Sequence, residues 1–509
     1  MVISTNSKKL IKLNKALLLF FALCLSFTFS ASVGQNSYFF GLPKIKNYHP
    51  AEYNGSAQNW DIVQDQRGMI YIGNTSGIIE YDGVNWKVIS TSNNSGIRSM
   101  DIDSIGTIYV GASGEIGYLA CDSTGETGYY SLMPYVDSSQ RNFVDVWGTY
   151  TTKDGVFFCT VNKIFKWHDG KITNIEVPFE RIFSYKINGK VFLVNREAGI
   201  YVIENNKFKY LPFSKDFIPS KKLYELTDMG DQKIIIYNED KGFFSYDLNV
   251  FNDEDYKLGR FDHQRLKHQY IQRLKGNAFE IINNGTIYTS NKISENLFAF
   301  GTIRSGIIFL DHQADFISSL DKSTGLNDNT VLYQYLDRNS NLWTGLGLGM
   351  SQVYLNAPLT MFHEKNGLPG SVFNTIEYNG YYYTGGNLGI FYLPKEIKKP
   401  NQKNVAFVNI PEETGSTWQF FIHKDELLAG ASKGIYHVKG KTVDLIFDGP
   451  SMYCFGESPH FDDVVFLGLS DGFMSVDVKI KNSRIKKYIS ITERNIYSEI
   501  KEPIRDIQA

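Results

Sequence analysis

Cysteine is scarce, and four cysteines in 509 residues are too few for a framework of disulfide bonds. Cys24 lies in the N-terminal segment discussed below. Cys121, Cys159 and Cys454 have neither a CxxC neighbour nor the spacing of metal ligands. We predict that these three are small apolar core residues. A chain of this length has enough core to fold without disulfide bonds, and it is long enough for two or more domains.

An excess of charge of one sign is also lacking, because the formal net charge is -2. A general nucleic-acid-binding surface needs a basic excess, so that class of protein is excluded. Proline is rare, with 14 residues, whereas glycine, with 44 residues, and aromatic residues, at 15%, are abundant. Aromatic and β-branched residues punctuated by glycine favour strands joined by tight turns, which predicts an all-β fold.

Long apolar runs are missing everywhere except near the N-terminus. Four lysines between positions 8 and 15 precede an apolar run at residues 16–29, and small residues follow. This is the pattern of a signal peptide, and it is shorter than the roughly 20 apolar residues that a membrane-spanning helix needs. We predict a signal peptide at residues 1–34, with cleavage after Gly34 and export of the remaining chain.

Motifs for catalysis are absent: the sequence has no P-loop, no GxSxG, no HExxH and no Rossmann glycine set. The segment from Asp337 to Asn341 begins like a calcium loop, but Leu348 stands where a glutamate should close the site. We predict no catalytic residue, no metal site and no cofactor. Four aspartates recur at equivalent turns, where an aspartate caps backbone N–H groups. These predicted turn caps are Asp65, Asp103, Asp154 and Asp337.

Internal repeats are present, and the clearest copy is residues 329–355. It contains an apolar run, a polar turn, the segment Leu342-Trp343-Thr344-Gly345, a glycine turn and a third apolar run. The glycines of this second turn recur about every 44 residues between Gly77 and Gly472, which is the length of a four-stranded propeller blade. The nine weaker copies are residues 60–86, 97–119, 144–167, 182–203, 223–246, 279–310, 372–393, 418–438 and 452–478.

Ten copies exceed the four to eight blades of a usual single ring. We therefore predict tandem β-propellers with four-stranded antiparallel blades. The first, at residues 36–360, is seven-bladed and is closed by an outer strand from residues 38–48; residues 361–509 are the first blades of a second, truncated propeller. Residues 503–509 match the start of a copy, so we interpret the chain as a fragment of a longer protein. The alternative is a natural terminus that donates a strand to an earlier blade.

The segment from Asp337 to Gly345 resembles the D-x-x-G-N-L-W-x-G core of two-component regulator propeller repeats, with Ser340 where that family often has glycine. Residues 58–65 and 70–74 are similar to the first blade of such sensors, and the resemblance covers nearly all of residues 36–509. It implies the periplasmic, ligand-sensing part of a membrane-anchored signalling receptor, which binds a small ligand of carbohydrate type and acts as a homodimer. It also implies a triple-tyrosine domain, a membrane helix and a kinase or helix-turn-helix output, none of which is in this sequence.

The ligand site is expected at one mouth of the central channel, where the first strand of each copy begins. Trp147 is a candidate for stacking on sugar rings, as are Trp86 and Trp167, whereas Trp60 and Trp343 are interpreted as core. Polar side chains at the strand entrances are candidates for hydrogen bonds to a ligand, with Arg98 as a forked donor. These polar candidates are Asn59, Arg98, Asn142, Asn329 and Ser371.

Two other functions stay open at this point. A secreted propeller lyase or hydrolase acting on polysaccharide would need convergent carboxylates, Tyr/His pairs or a metal in a channel mouth. An adhesive module would need a large exposed apolar patch. The polar insertion at residues 252–275 is either a solvated loop between blades or a partner-binding loop.

Overall fold

The computed structural model describes residues 41–507 except 180, 218–223, 258–262, 283–285, 396–405, 459, 483–486 and 498. The predicted signal peptide lies outside the described residues. The described part is a succession of ten four-stranded antiparallel sheets, which we number blades 1 to 10 in chain order.

Blades 1 to 7 form the first ring. Blade 1 contains β2 (Asn59–Gln64), β3 (Ile70–Asn74), β4 (Gly77–Tyr81) and β5 (Trp86–Ile89). Blade 2 contains β6 (Ile97–Ile102), β7 (Ile108–Ala112), β8 (Glu115–Cys121) and β9 (Thr127–Ser131). Blade 3 contains β10 (Gly148–Thr152), β11 (Gly155–Cys159), β12 (Ile164–His168) and β13 (Lys171–Ile175). Blade 4 contains β14 (Ile182–Ile187), β15 (Lys190–Asn195), β16 (Gly199–Glu204) and β17 (Lys207–Tyr210).

The ring continues in the same way to its last blade. Blade 5 contains β18 (Tyr224–Gly230), β19 (Lys233–Asn238), β20 (Gly242–Asp247) and β21 (Ile271–Arg273). Blade 6 contains β22 (Ile287–Ser294), β23 (Leu297–Thr302), β24 (Ile307–Leu310) and β25 (Phe316–Leu320). Blade 7 contains β26 (Val331–Leu336), β27 (Asn341–Leu346) and β28 (Met350–Tyr354), together with β1 (Lys44–Tyr48).

Blades 8 to 10 begin a second ring. Blade 8 contains β29 (Val372–Tyr378), β30 (Tyr381–Gly386), β31 (Gly389–Pro394) and β32 (Val408–Asn409). Blade 9 contains β33 (Thr417–His423), β34 (Glu426–Ala431), β35 (Gly434–Lys439) and β36 (Thr442–Asp448). Blade 10 contains β37 (Met452–Glu457), β38 (Val464–Leu469), β39 (Gly472–Asn482) and β40 (Lys487–Ile496).

Helices are short in the described residues, and none of them has the length and apolar character to span a membrane. The α-helices are α1 (Pro50–Tyr53), α2 (Glu254–Lys257), α3 (His263–Tyr270) and α4 (Ala278–Ile281). The 3-10 helices are Met133–Tyr135, Ser138–Gln140, Ser214–Phe217, Leu248–Asn252 and Glu364–Asn366.

The first ring is closed by a strand from its own N-terminus. The inner strands follow one another around the channel, and β26 of blade 7 lies against β2 of blade 1. In blade 7 the order is β1-β28-β27-β26, and β1 pairs antiparallel with β28 from Lys44↔Tyr354 to Tyr48↔Met350. The predicted closing strand is thereby observed at Lys44–Tyr48. Because the last blade takes its outer strand from the chain start, the ring is joined by backbone hydrogen bonds.

Stacking of neighbouring blades explains the apolar runs of the second strands. Every residue of β3 and β23 is buried, as a sheet covered on both faces requires. Outer strands such as β5 and β17 are half-exposed. Apolar clusters lie between successive sheets, for example between blades 1 and 2 and between blades 9 and 10. The predicted fold class, all-β tandem propellers with a seven-bladed first ring and an incomplete second ring, is confirmed.

Three of the four recurring aspartates cap the first turn of their blades. Asp337 Oδ1 accepts from the N–H groups of Asn339 and Asn341 at 2.9 and 2.8 Å. Asp65 and Asp103 accept in the same way from the backbone of their own turns. The predicted cap by Asp154 is wrong, because in this turn the hydroxyl oxygen of Thr152 accepts from the N–H of Asp154 at 3.1 Å.

The insertion between β20 and β21 is a packed element instead of a solvated loop. In helix α3, Leu266 is fully buried and Tyr270 is nearly so, within the apolar cluster between blades 4 and 5. The Tyr270 hydroxyl donates to Asp253 Oδ2 at 2.7 Å, which ties the helix to the start of the insertion. Its polar residues face outward because its apolar side is used by the blades.

The cysteine prediction is correct for Cys159 and Cys454, which are buried, and wrong for Cys121, which is exposed at the end of β8. Burial raises the pKa of the Cys159 thiol to about 12, and burial also raises the pKa of the Cys454 thiol. The thiolate is the reactive form, so we expect Cys121 to react with an aromatic disulfide reagent roughly tenfold or more faster than the two buried thiols. Absorbance of the released thiolate measures this, and Cys121→Ser should remove the fast phase. Equal rates for all thiols in the folded protein would contradict the expectation.

Candidate ligand-binding mouth of the first ring

Seven of the ten inner strands have a β-bulge near their first residue: β2, β6, β22, β26, β29, β33 and β37. In β2 the register shifts between Asn59 and Asp61, and in β6 it shifts between Ile97 and Ser99. The bulged residues Trp60 and Arg98 are therefore left out of the ladder, and a bulge re-aims the side chain it carries. Equivalent shifts leave out Tyr288, Leu332, Phe373, Trp418 and Tyr453.

Four residues from blades 1 to 3 meet at this end of the channel: Trp60, Arg98, Asp145 and Trp147, which we call the mouth cluster. The Arg98 guanidinium carbon lies 4.5 Å from the ring centre of Trp60 and 5.3 Å from that of Trp147. The two indoles meet edge to face, with centres 5.8 Å apart. A guanidinium on an aromatic face is stabilised by about 0.5–2 kcal/mol, so the cluster is preorganised.

Asp145 fixes the guanidinium. Arg98 Nε donates to Asp145 Oδ1 at 3.1 Å, and 19% of each side chain is exposed, so a ligand can reach the pair. The hydroxyl of Ser113 donates to the same carboxylate oxygen. An isolated bridge between Ser113 and Asp145 holds the segment before β10 against the turn between β7 and β8. This pair therefore presents a donor and an acceptor side by side at the mouth.

The exposed surface of the cluster belongs mainly to Trp147, of which 42% is exposed. Trp60 is half-buried, and its indole N–H donates to Thr75 Oγ1 at 3.1 Å, in the turn between β3 and β4. A flat apolar face next to a charged donor–acceptor pair is suited to a ligand with one apolar face and several hydroxyl groups.

Of the predicted site residues, the structure brings Arg98 and Trp147 together. Asn59 is fully buried, and its amide donates to the carbonyl of Gly349 at 2.9 Å. It also accepts from the amide of Asn74 at 2.8 Å. Asn59 thus joins blades 7 and 1, and its side chain is buried beneath the seventh blade instead of facing a ligand.

The other three predicted polar residues make their hydrogen bonds outside the cluster. Asn142 is exposed, and its carbonyl accepts from Lys163 Nζ at 3.0 Å. The side chain of Asn329 accepts from the N–H of Lys322 at 2.8 Å, within a turn. Ser371 belongs to the second ring, where its N–H donates to Asn387 Oδ1 at 2.7 Å.

Three tryptophans were assigned to the wrong environment. Trp60 was interpreted as core but belongs to the mouth cluster. Trp86 stacks on Tyr81 with ring centres 3.8 Å apart, and Trp167 packs against Tyr135 at 5.2 Å, so both are blade-packing residues. The useful signal is the second residue of a bulged inner strand, since a bulge re-aims the side chain that it carries.

Carboxylates deeper in the channel join neighbouring inner strands. Asp61 Oδ2 accepts from the N–H of Met100 in blade 2 at 2.8 Å, and burial raises the pKa of the Asp61 carboxyl well above its ordinary value. Asp101 Oδ2 accepts from the N–H of Thr151 in blade 3 at 2.7 Å, and Lys186 donates to the same oxygen. Among the described residues, no group of histidines, cysteines and carboxylates is arranged to hold a metal ion.

The bulged positions of the second ring are aromatic. Phe373 and Trp418 stack with ring centres 4.7 Å apart and planes 7° apart, and Trp418 meets Tyr453 edge to face at 5.2 Å. The guanidinium carbon of Arg505 lies 5.4 Å from the ring centre of Tyr453. The same backbone device therefore gathers aromatic and guanidinium groups in both rings.

No protein-family model and no curated protein sequence matches the chain. Among solved structures, the chain is similar to the extracellular domain of BT3049 from B. thetaiotaomicron, assigned as a hybrid two component system. The TM-score is 0.62 at 16% identity, covering 89% of this chain and 60% of that chain. The extracellular domain of BT4673 from the same organism gives a TM-score of 0.45 at 15% identity, covering 85% and 59% of the two chains.

The chain thus spans about 60% of the length of the BT3049 domain. The resemblance drawn from the repeats is confirmed at the level of fold, since this neighbour has the same propeller architecture.

Proposed function

We propose that this chain is the exported, ligand-sensing region of a membrane signalling receptor and that a carbohydrate binds at the mouth cluster. The observation that carries the proposal is the exposed indole of Trp147 beside the Arg98–Asp145 pair, at the open end of a closed ring. An aromatic face takes the apolar side of a sugar ring, and the ion pair takes its hydroxyl groups. The fold likeness to an extracellular domain of a two component system supports the sensing role.

The proposal assigns no catalysis, metal or cofactor to this region. It places the chain on the periplasmic side of the inner membrane in a receptor that acts as a homodimer. The channel carboxylates support a non-catalytic role, because Asp61 and Asp101 are already engaged by backbone N–H groups of the next blade.

Removal of the Trp147 indole is the direct test. A panel of linear cello-, xylo-, manno- and malto-oligosaccharides is screened by the rise in Tm, and binding is then measured by calorimetry. For a saccharide that binds, we expect Trp147→Ala to weaken binding about 10- to 100-fold, as loss of an aromatic hot spot does. Tyr130→Ala is the matched control, because Tyr130 is 40% exposed but lies on the outer strand β9.

Two outcomes would overturn the proposal. One is that no saccharide of the panel binds, or that Trp147→Ala and Tyr130→Ala bind equally well. The other is that the saccharide is cleaved during incubation, as detected by chromatography, since that result would identify a propeller lyase or hydrolase.

A further inference from the structure

A second aromatic–guanidinium pair lies on blade 4, next to the mouth cluster. Phe183, the second residue of β14, is 38% exposed, and the guanidinium carbon of Arg196 lies 5.1 Å from its ring centre. Arg196 belongs to the turn between β15 and β16, which corresponds to the turn of blade 1 whose Thr75 contacts Trp60. Phe183 is therefore on the same end of the ring as Trp60.

The two aromatic positions are adjacent around the ring. Gly148, which follows Trp147, lies so close to Ser184, which follows Phe183, that a Cβ on the glycine would be 2.5 Å from the serine hydroxyl. The hydroxyl of Tyr150 in β10 also donates to the carbonyl of Ser184 at 2.6 Å. Trp147 and Phe183 thus emerge from neighbouring positions of neighbouring inner strands.

Exposed apolar side chains lie in the segments next to these positions. Val144, 71% exposed, and Val161, 45% exposed, lie in the segments that precede β10 and β12. The carbonyl of Val161 accepts from the N–H of Ile182 at 2.9 Å, which sets this turn beside the start of β14. Exposed apolar side chains close to a channel mouth are typical of a binding surface.

We propose that blades 1 to 4 carry a linear glycan site with two stacking subsites, the mouth cluster and the Phe183–Arg196 pair, which takes a neutral oligosaccharide of several units. Phe183 lies one blade further around the ring than Trp147, so a sugar ring stacked on Trp147 does not also stack on Phe183, and contact with both aromatic faces needs a longer ligand. Asp145 balances the charge of Arg98, and it would repel a ligand carboxylate, so the mouth cluster suits hydroxyl groups. This inference rests on the proposed function and adds the length and the charge class of the ligand.

Ligand length is the quantity to measure. For whichever neutral series binds, the affinity of the hexasaccharide is compared with that of the disaccharide by calorimetry. We expect the hexasaccharide to bind at least about tenfold more tightly to the unmodified protein, which is the contribution of one more aromatic contact. In Phe183→Ala the ratio of the two affinities should fall to about one, whereas Phe183→Tyr should keep it. Tyr130→Ala should leave the ratio unchanged.

The possible failures are distinguishable. If no saccharide binds, the proposed function itself fails. If saccharides bind at Trp147 but the disaccharide and the hexasaccharide bind equally well, or if Phe183→Ala keeps the ratio at an unchanged Tm, the second subsite is refuted and the sensing role stands. Tighter binding of uronic-acid oligosaccharides than of neutral ones would refute the charge class.

Discussion

Replacing Trp343 with alanine is expected to lower the free energy of unfolding of the first ring by about 3–5 kcal/mol. The indole is 2% exposed and stacks on Tyr48 of the closing strand, with ring centres 5.5 Å apart and planes 8° apart. Its N–H donates to Asp337 Oδ2 at 3.0 Å, so the substitution also takes a partner from a buried carboxylate. Denaturant unfolding followed by fluorescence measures the loss.

The same substitution at Trp147 is the internal control. Because Trp147 is 42% exposed, Trp147→Ala should cost less than about 1 kcal/mol. Trp343→Phe keeps a ring against Tyr48 but removes the hydrogen bond, so an intermediate loss of about 1–2 kcal/mol is expected. Hydrogen exchange should show lost protection of β1 in Trp343→Ala. A Tm that is equal in the two alanine variants would refute the role of Trp343 in ring closure.

Glu225 is expected to make the stability of the first ring fall between pH 5 and pH 9. Burial raises the pKa of its carboxyl from an ordinary value of 4.5 to about 8, although Ser290 of blade 6 donates to Oε1 at 2.6 Å. A carboxyl whose folded pKa is raised stabilises the fold below the unfolded pKa and loses that contribution as the pH rises through the folded pKa. The loss is about 3–5 kcal/mol when both states have ionised.

Glu225→Gln removes this titration while keeping the shape of the side chain. We expect the unmodified protein to lose Tm steadily from pH 5 to pH 9 relative to Glu225→Gln, with the larger part of the change above pH 6. Glu126→Gln is the control, because the side chain of Glu126 is 65% exposed and should leave the pH profile as it is. Parallel profiles for Glu225→Gln and the unmodified protein would contradict the raised pKa.

Much of the blade was predictable because its contacts are local in sequence. The cap of Asp337 on Asn339 and Asn341 spans five residues, so the sequence pattern alone identifies it. The closing strand was predictable because the count of copies left one outer strand missing. The exposure of the cysteines was harder to predict, since nothing in the sequence around Cys121 indicates that the end of β8 lies at the surface.

The mouth was only half predictable. Arg98 was a candidate from its place at a strand entrance and Trp147 as an exposed aromatic, whereas Asp145 and Phe183 were not among the candidates and Trp60 was assigned to the core. The alternation of apolar and polar side chains does not indicate where a strand has a β-bulge. The direction of the Trp60 side chain therefore could not be predicted from that alternation. The pairing of Phe183 with Arg196 depends on the turn between β15 and β16 lying beside the start of β14, which the sequence does not show.

The sequence by itself determined the blade: its period, its strands, its capped turns and the buried Trp343. These depend on neighbours within one repeat and on the need to bury apolar strands on both faces. Only the tertiary structure decided which polar residues remain for a ligand. The amide of Asn59 is buried and donates to the carbonyl of Gly349, 290 positions away. The guanidinium of Arg98 donates to Asp145, 47 positions away, and stays partly exposed. Ring closure sets such distances, because it brings together strand ends that lie far apart in the chain.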